Sequence, residues 1–162
     1  FGAGDWPGNH IEELFEEVVF PVCSPELVET GPPLRMPEDL KLHTLIHDDA
    51  VPDWENWLRA ADVVDQVDYT KGPRYMRSNH VIQAAIAGEG VALGRSALVA
   101  ADMAAGRLVQ PFEFTLPGEY RFYFLCLTGA LDRPKVAAFR TWLFEEKRRS
   151  DELSDYLASR PR

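Results

Sequence analysis

The chain has 162 residues, of which 46% are hydrophobic and 11% aromatic, so it can bury the core of one domain or of two small lobes, and a globular protein is favoured over a disordered one. Its net charge of −9 argues against DNA binding by this segment, because phosphate contacts need clustered Lys and Arg. No apolar run is long enough to span a membrane, and residues 1–5 do not resemble a signal peptide, which favours a soluble cytoplasmic protein.

The first half of the chain alternates strand and helix signals. Residues 14–23 (LFEEVVFPVC) are rich in β-branched and aromatic residues, and Pro21 restricts them to an edge or a crossing strand. A helix should follow Ser24 as its N-cap and end near residue 31. Residues 42–47 predict a second strand, and the spacing of apolar residues after an Asp53 N-cap predicts a helix to about residue 61.

The second half continues this alternation. A moderately strand-like stretch over 67–76 leads into a helix that ends at Gly88. We then expect a strand at 91–93, a helix over 97–105 after Ser96, and a loop at Pro117 and Gly118. Residues 120–127 (YRFYFLCL) give the strongest strand signal, and Pro134 begins a helix with one apolar face. That face contains Val136, Ala137, Phe139, Trp142 and Leu143. The tail beyond residue 150 is polar and predicted to fray. The whole pattern predicts an α/β domain covered on both faces of its sheet.

The two cysteines, Cys23 and Cys126, both lie in apolar, strand-like runs. Free cysteines in such surroundings usually behave as small buried hydrophobes. Redox sensing is the alternative, and it requires an exposed thiol of low pKa.

Catalytic and metal-binding patterns are weak. His43 and His47 lack the helical i, i+4 spacing of a zinc helix, and no nucleophile motif accompanies Cys23. Gly88-Glu89-Gly90 resembles half of a dinucleotide fingerprint, but it follows a helix and precedes a strand. That order favours a helix C-cap. We therefore predict no enzyme, no metal and no cofactor.

Residues 76–79 (MRSN) stand at a predicted helix N-terminus. Unpaired backbone N–H groups and the positive end of the helix dipole accept carboxylates at such a place, and Ser and Asn side chains add hydrogen bonds. The alternative is that Ser78 or Asn79 is an ordinary N-cap.

Five segments, in order and across nearly the whole chain, together resemble one family. They are residues 1–8 (FGAGDWPG), 20–25 (FPVCSP), 82–95 (IQAAIAGEGVALGR), 105–112 (AGRLVQPF) and 135–143 (KVAAFRTWL). The set is similar to the effector-binding domain of LysR-type transcriptional regulators, in the subgroup of glycine-cleavage activators and β-lactamase regulators.

The resemblance implies a fold like that of type 2 periplasmic-binding proteins, with two α/β lobes, two crossing strands and an effector cleft between the lobes. Residues 14–23 and 120–127 would be the crossing strands. Residues 21–127 would hold the second lobe together with crossing strands, and 1–20 and 128–150 would be part of the first lobe. The DNA-binding helix-turn-helix would lie outside this N-terminally truncated fragment, and apolar surface on the helix from Pro134 would be left uncovered.

Residue by residue, the resemblance places Ser78 and Asn79 where the family's helix N-terminus faces the effector, with Met76 at the cleft edge. Tyr120 falls where some relatives place an effector-contacting tyrosine, and a core or edge aromatic is the alternative. Trp6 would cover the cleft mouth or simply pack in its turn.

The implied function is a sensor that binds a small, anionic metabolite, acts as a dimer or tetramer, and reaches DNA only through the helix-turn-helix. A periplasmic solute-binding protein of a transporter is the alternative, because it would share the fold.

Overall fold

A computed structural model of the chain describes residues 5–49 and 54–158, so the predicted Asp53 N-cap lies outside the described residues. The chain divides into two compact units, one of residues 1–16 and 119–162 and one of residues 17–118. Within the described ranges, no helix combines the length and the apolar character that a membrane crossing requires.

Strands and helices alternate as the sequence predicts. The described strands are β1 (Asn9–Val22), β2 (Leu45–Asp48), β3 (Arg74–Tyr75), β4 (Val91–Arg95) and β5 (Leu116–Leu127). The described α-helices are α1 (Pro25–Thr30), α2 (Trp54–Ala60), α3 (Ser78–Ile86), α4 (Ser96–Ala104) and α5 (Pro134–Ala158). Short 3-10 helices cover Pro37–Leu42 and Ala130–Asp132.

In the unit of residues 17–118 the strand order is β3-β2-β4-β1. Strand β2 is parallel to both β3 and β4, and β1 is antiparallel to β4. Successive residues of a strand face opposite sides of the sheet. Accordingly, Ile46 and Ala92 belong to one buried cluster with α3, whereas Leu45 and Val91 belong to a second cluster with α2. The sheet is thus covered on both faces, as predicted for an α/β domain.

The structure has the helix start predicted at Ser24 and the helix end predicted at Gly88. The Ser24 side chain accepts a hydrogen bond from the Leu27 amide and Pro25 is the first residue of α1, which confirms that predicted cap. Helix α3 ends at Ile86, and Gly88 follows with a φ of +80°, a left-handed conformation that suits glycine. The Gly88-Glu89-Gly90 segment is therefore a helix end, as expected.

Several predicted boundaries are wrong. The strand expected at residues 42–47 begins only at Leu45, because the 3-10 helix Pro37–Leu42 precedes it. The stretch expected over 67–76 forms a strand only at Arg74–Tyr75. The loop expected at Pro117 and Gly118 is part of β5.

Close packing explains why Gly118 lies in a strand despite its turn-like neighbour. A Cβ on Gly118 would come within 2.9 Å of the Glu17 carbonyl oxygen, so only glycine allows the two backbones to approach this closely. Strand β1 lies between β4 and β5 in the sheet order, so Pro21 is not in an edge strand. Residues of β1 belong to both units.

In the other unit, charge and aromatic contacts join β1 and α5. Arg140 donates to both carboxylate oxygens of Glu12, one at 2.6 Å, and its guanidinium lies 5.1 Å from the ring centre of Phe144. His10 also contacts Glu12. The guanidinium hydrogen bond lowers the pKa of Glu12 to about 2, against the opposing effect of desolvation.

Helix α5 differs from its prediction in two respects. It continues to Ala158 instead of fraying beyond residue 150. Trp142, predicted to be on its packed apolar face, is 52% exposed, and so is Phe139. A helical period identifies the apolar face of a helix but not how much of that face is covered. The structure thus agrees with the expectation of uncovered apolar surface on this helix.

Candidate functional site

Two parallel strands end beside a helix start in the unit of residues 17–118. Leu45 of β2 pairs with Val91 of β4, and the two strands end at the charged residues Asp48 and Arg95. Ser78 begins α3, which packs on β2 and β4. Ligands of α/β folds bind outside the carboxyl ends of parallel strands, so this edge is where a binding site is expected.

A concave site occupies this edge, and we call it the strand-end pocket. It is lined by Ile46, His47, Asp48, Trp54, Ser78, Val81, Ile82, Leu93, Arg95 and Leu98. Its cavity volume is about 20 Å³, and about 10–15 Å³ is needed to hold one water molecule. The pocket therefore admits a single functional group of a ligand rather than a whole metabolite.

The polar wall of the pocket is organised by a hydrogen bond between two elements. The Ser78 hydroxyl donates to Oδ2 of Asp48, which ties the start of α3 to the end of β2. Arg77 holds the N-cap position of α3 and makes no side-chain cap. Neither Ser78 nor Asn79 is therefore the N-cap, and the ordinary-cap alternative is wrong for both.

The amide groups at the start of α3 provide hydrogen-bond donors. The amides of Ser78 and Asn79 occupy the first turn, where helix geometry offers no acceptor within the helix. The next amide, of His80, already bonds to the Arg77 carbonyl oxygen at 2.9 Å. Together with the positive end of the helix dipole, these amides can receive an anionic group.

One residue of the pocket wall, Arg95, belongs to a buried ion pair. Arg95 donates from one guanidinium nitrogen to Oε2 of Glu17, and the side chains of Arg95 and Glu17 are 13% and 1% exposed. The neighbouring Val18 amide donates to the Ser96 hydroxyl at 3.2 Å. Ser96 is the first residue of α4 rather than its N-cap, which is Arg95. These contacts fix β1 to the end of β4 and hold Arg95 in place on the pocket wall.

The residues predicted from the sequence are divided between the two compact units. Ser78 lines the strand-end pocket. Asn79 and Met76 are exposed at the start of α3, Met76 by 83%. Trp6 packs edge-on against Tyr123 at 5.4 Å in the unit that contains the chain ends. Tyr120 belongs to β5, and its side chain lies outside the described residues.

The histidines face other partners. Nε2 of His43 is 3.1 Å from the Pro33 carbonyl oxygen. Nε2 of His47 donates to the Lys71 carbonyl oxygen at 2.8 Å. Within residues 5–49 and 54–158, no three His, Cys, Asp or Glu side chains are placed to hold a metal ion.

Sequence reasoning missed Asp48 and Arg95 as pocket residues. Both are charges that terminate a short apolar run, Leu-Ile-His-Asp and Val-Ala-Leu-Gly-Arg. Such a charge at the end of a buried strand is the signal that could have identified them, since the carboxyl ends of parallel strands share one edge.

A family model and known protein sequences were compared with the chain, and their matches agree with each other. The family described as LysR substrate binding domain matches residues 1–148. The glycine cleavage system transcriptional activator of Escherichia coli (strain K12) is 41% identical over 143 residues, covering 88% of this chain and 47% of that protein. The HTH-type transcriptional activator AmpR of Pseudomonas aeruginosa is 30% identical over 145 residues, with 90% and 48% covered. The chain thus spans about half the length of the curated relatives it matches.

Solved structures with a similar fold include effector domains of AmpR. The effector domain of AmpR from Pseudomonas aeruginosa superimposes with a TM-score of 0.71 at 28% identity, covering 96% of this chain and 73% of that one. The AmpR effector-binding domain from Citrobacter freundii gives a TM-score of 0.72 at 22% identity, with 91% and 72% covered. This confirms the predicted fold class.

Proposed function

The chain belongs to the LysR substrate-binding domain family, and we propose that it is the effector-sensing part of a DNA-binding transcriptional regulator. DNA contacts would come from a helix-turn-helix elsewhere in that regulator, since the net charge of −9 argues against binding of DNA phosphates by this segment. The periplasmic solute-binding alternative is not favoured, because the matched relatives are transcriptional activators.

The strand-end pocket is the observation that carries the proposal. It has the position at the strand ends that ligand sites of α/β folds occupy, and Ser78 at its edge is a residue that the sequence singled out. We propose that a small, anionic metabolite places its carboxylate against the amides of Ser78 and Asn79, with Met76 beside it. Trp6 and Tyr120 stay predictions as effector contacts.

In the proposed mechanism the effector acts by differential affinity. A ligand that binds one conformation more tightly than another shifts the population toward it, and only that difference in binding free energy can be transmitted. The regulator would be a cytoplasmic homodimer or tetramer in which this shift alters how the DNA-binding segments are presented. Residues 21–127 would form the second regulatory lobe with crossing strands, and 1–20 and 128–150 part of the first.

A reporter assay on the intact regulator tests the proposal. We expect Ser78→Ala with Asn79→Ala to weaken induction while the protein still folds, because the change removes polar groups at the pocket edge and, among hydrogen bonds between described residues, the one from Ser78 to Asp48. His80→Ala, an exposed change on the same helix, is the matched control and should respond like the wild type. Induction unchanged in the double variant would contradict the assignment of this helix end to the effector.

A further inference from the structure

A second cavity lies in the unit of residues 17–118, at the opposite end of β2 from the strand-end pocket, and we call it the strand-start cavity. His43, Thr44 and Leu45 line it where β2 begins, whereas Asp48 lines the strand-end pocket where β2 ends. The two sites share none of their lining residues. The cavity volume is about 290 Å³, close to the lower limit of about 300 Å³ for small-molecule pockets. The strand-start cavity can therefore hold a small ligand separately from the proposed effector site.

Close backbone packing fixes the start of β2 around this cavity. Gly72 lines the cavity with a φ of +121°, and a Cβ at this position would overlap the Leu45 carbonyl oxygen. A Cβ on Gly90 would overlap the Thr44 carbonyl oxygen in the same way. The Val91 amide donates to that Thr44 oxygen at 2.9 Å. The cavity is thus bounded by backbone that approaches too closely for any residue but glycine.

Three of the lining residues are apolar and buried. Leu40, Leu45 and Val67 line the cavity, and all three belong to the buried cluster that includes the tryptophans of α2. Apolar surface at the base of a cavity favours a ligand with an alkyl portion, because covering that surface removes it from water.

The rest of the lining is polar, with more positive than negative charge. Among the described residues that line the cavity, the acidic and basic side chains other than His43 are Lys41, Lys71 and Asp68. Lys71 and Asp68 form an ion pair with an N–O distance of 2.7 Å. Hydrogen bonds from Lys71 and Thr70 lower the pKa of Asp68 to about 2, so this carboxylate is ionised at neutral pH and offsets Lys71. The lining therefore has an excess of one positive charge, which matches a monoanion.

We propose that the strand-start cavity is a second binding site, for a small aliphatic monocarboxylate whose carboxylate contacts Lys41 and the Thr44 hydroxyl. The lysine ammonium group, on a flexible four-carbon stem, and the threonine hydroxyl can both donate hydrogen bonds to a carboxylate. The alkyl group of the ligand covers Leu45 and Val67. This site is additional to the proposed sensing function, because it uses no residue of the strand-end pocket.

A matched acid and amide test the proposal on the 162-residue chain. 3-Methylbutanoate and 3-methylbutanamide have nearly the same shape and differ in charge. In a titration followed by nuclear magnetic resonance, the backbone amide signals of Thr44 and Gly72 should shift saturably with the acid. The acid should bind at least about threefold more tightly than the amide, as expected for a solvent-exposed charge pair. Lys41→Met should remove most of that difference, and the variant should fold because Lys41 is exposed.

Lys135→Met is the matched control, since it removes the same charge from an exposed position in the other unit; it should keep the preference for the acid. Ser78→Ala with Asn79→Ala should keep it too, because those residues belong to the other site. Equal binding of acid and amide, the absence of a shift in the two amide signals, or equal losses in the Lys41 and Lys135 variants would each overturn the proposal. Loss of acid binding in the Ser78 and Asn79 variant would also overturn it, by assigning the ligand to the strand-end pocket.

Discussion

Ser78 and Asp48 are 30 positions apart in the chain, yet the hydroxyl of one donates to the carboxylate of the other. The bond joins the first residue of α3 to the last residue of β2. It closes one wall of the strand-end pocket, which both residues line.

The first prediction concerns the stability that this bond provides. Ser78→Ala should lower the free energy of unfolding by about 1 kcal/mol, below the usual range for bonds to charged groups because both side chains are partly exposed. Urea denaturation measures the change. Asn79→Ala, at an exposed neighbouring position, serves as the reference and should change the unfolding free energy less. Equal effects of the two substitutions would argue against a stabilising Ser78–Asp48 bond.

The second prediction concerns the buried pair of Glu17 and Arg95. Arg95→Met should destabilise the protein by about 3 kcal/mol, because Glu17 stays buried after losing its guanidinium partner. Glu17→Gln combined with Arg95→Met should recover part of the loss, and the two single variants complete a double-mutant cycle. Additive effects in that cycle would mean that the pair does not interact energetically.

The third prediction separates two tryptophans. Trp57 is fully buried, with ring contacts to Trp54, Phe112 and Phe114, so Trp57→Ala should cost about 3–5 kcal/mol. Trp142→Ala should cost much less, because that ring is 52% exposed. Thermal melting compares them, and a larger effect at Trp142 would contradict the burial described here.

Trp57→Phe gives a finer test of the same site. Among the described residues, Nε1 of Trp57 is buried without a hydrogen-bond partner. Replacing Trp by Phe removes that unsatisfied donor while keeping an aromatic ring, so the loss of ring contacts should be partly offset. We expect its destabilisation to be less than half that of Trp57→Ala.

The fourth prediction is a pH dependence. Hydrogen bonding to Arg140 lowers the pKa of Glu12 from 4.5 to about 2 in the folded chain. A carboxyl group with a lowered folded-state pKa stabilises the protein above its unfolded-state pKa, and this contribution disappears as the pH falls through the folded-state value. The stability advantage of wild type over Glu12→Gln should therefore be full above about pH 4.5 and vanish near pH 2.

Chemical denaturation between pH 6 and pH 2 measures that difference. Glu29→Gln, at an exposed position on α1, controls for the loss of one acid. A difference between wild type and Glu12→Gln that did not change with pH would show that the Glu12–Arg140 pair contributes no charge-dependent stability.

Sequence patterns correctly predicted those structural features that depend on contacts between residues close together in the chain. The cap at Ser24, the helix start within residues 76–79 and the helix end at Gly88 all depend on neighbours within one helical turn, and all three were predicted correctly. By contrast, the turn signal at Pro117 and Gly118 was overridden by the close approach of Gly118 to the Glu17 backbone. That contact joins residues far apart in the chain, and no local pattern contains it.

The residues of the candidate site show the same difference between features that depend on chain neighbours and features that depend on tertiary contacts. Ser78 was singled out from its position at a helix start, but its bond to Asp48 depends on which strand ends beside that helix. Arg95 reaches the pocket only because β4 pairs in parallel with β2. Likewise, helical spacing placed Trp142 on an apolar face, whereas its exposure depends on what covers that face. Strand pairing and the covering of an apolar helix face are tertiary properties, so they cannot be predicted from local patterns in a single sequence.

The most direct test of the central claim is a thermal-shift screen of wild type against amino acids, small carboxylates and muropeptide fragments, repeated on Ser78→Ala with Asn79→Ala. Binding to the folded state raises the melting temperature by mass action. A saturable rise from one ligand class that the double variant weakens is the predicted result. A rise of equal size in both proteins, or no rise from any class, would contradict an effector site at the strand-end pocket.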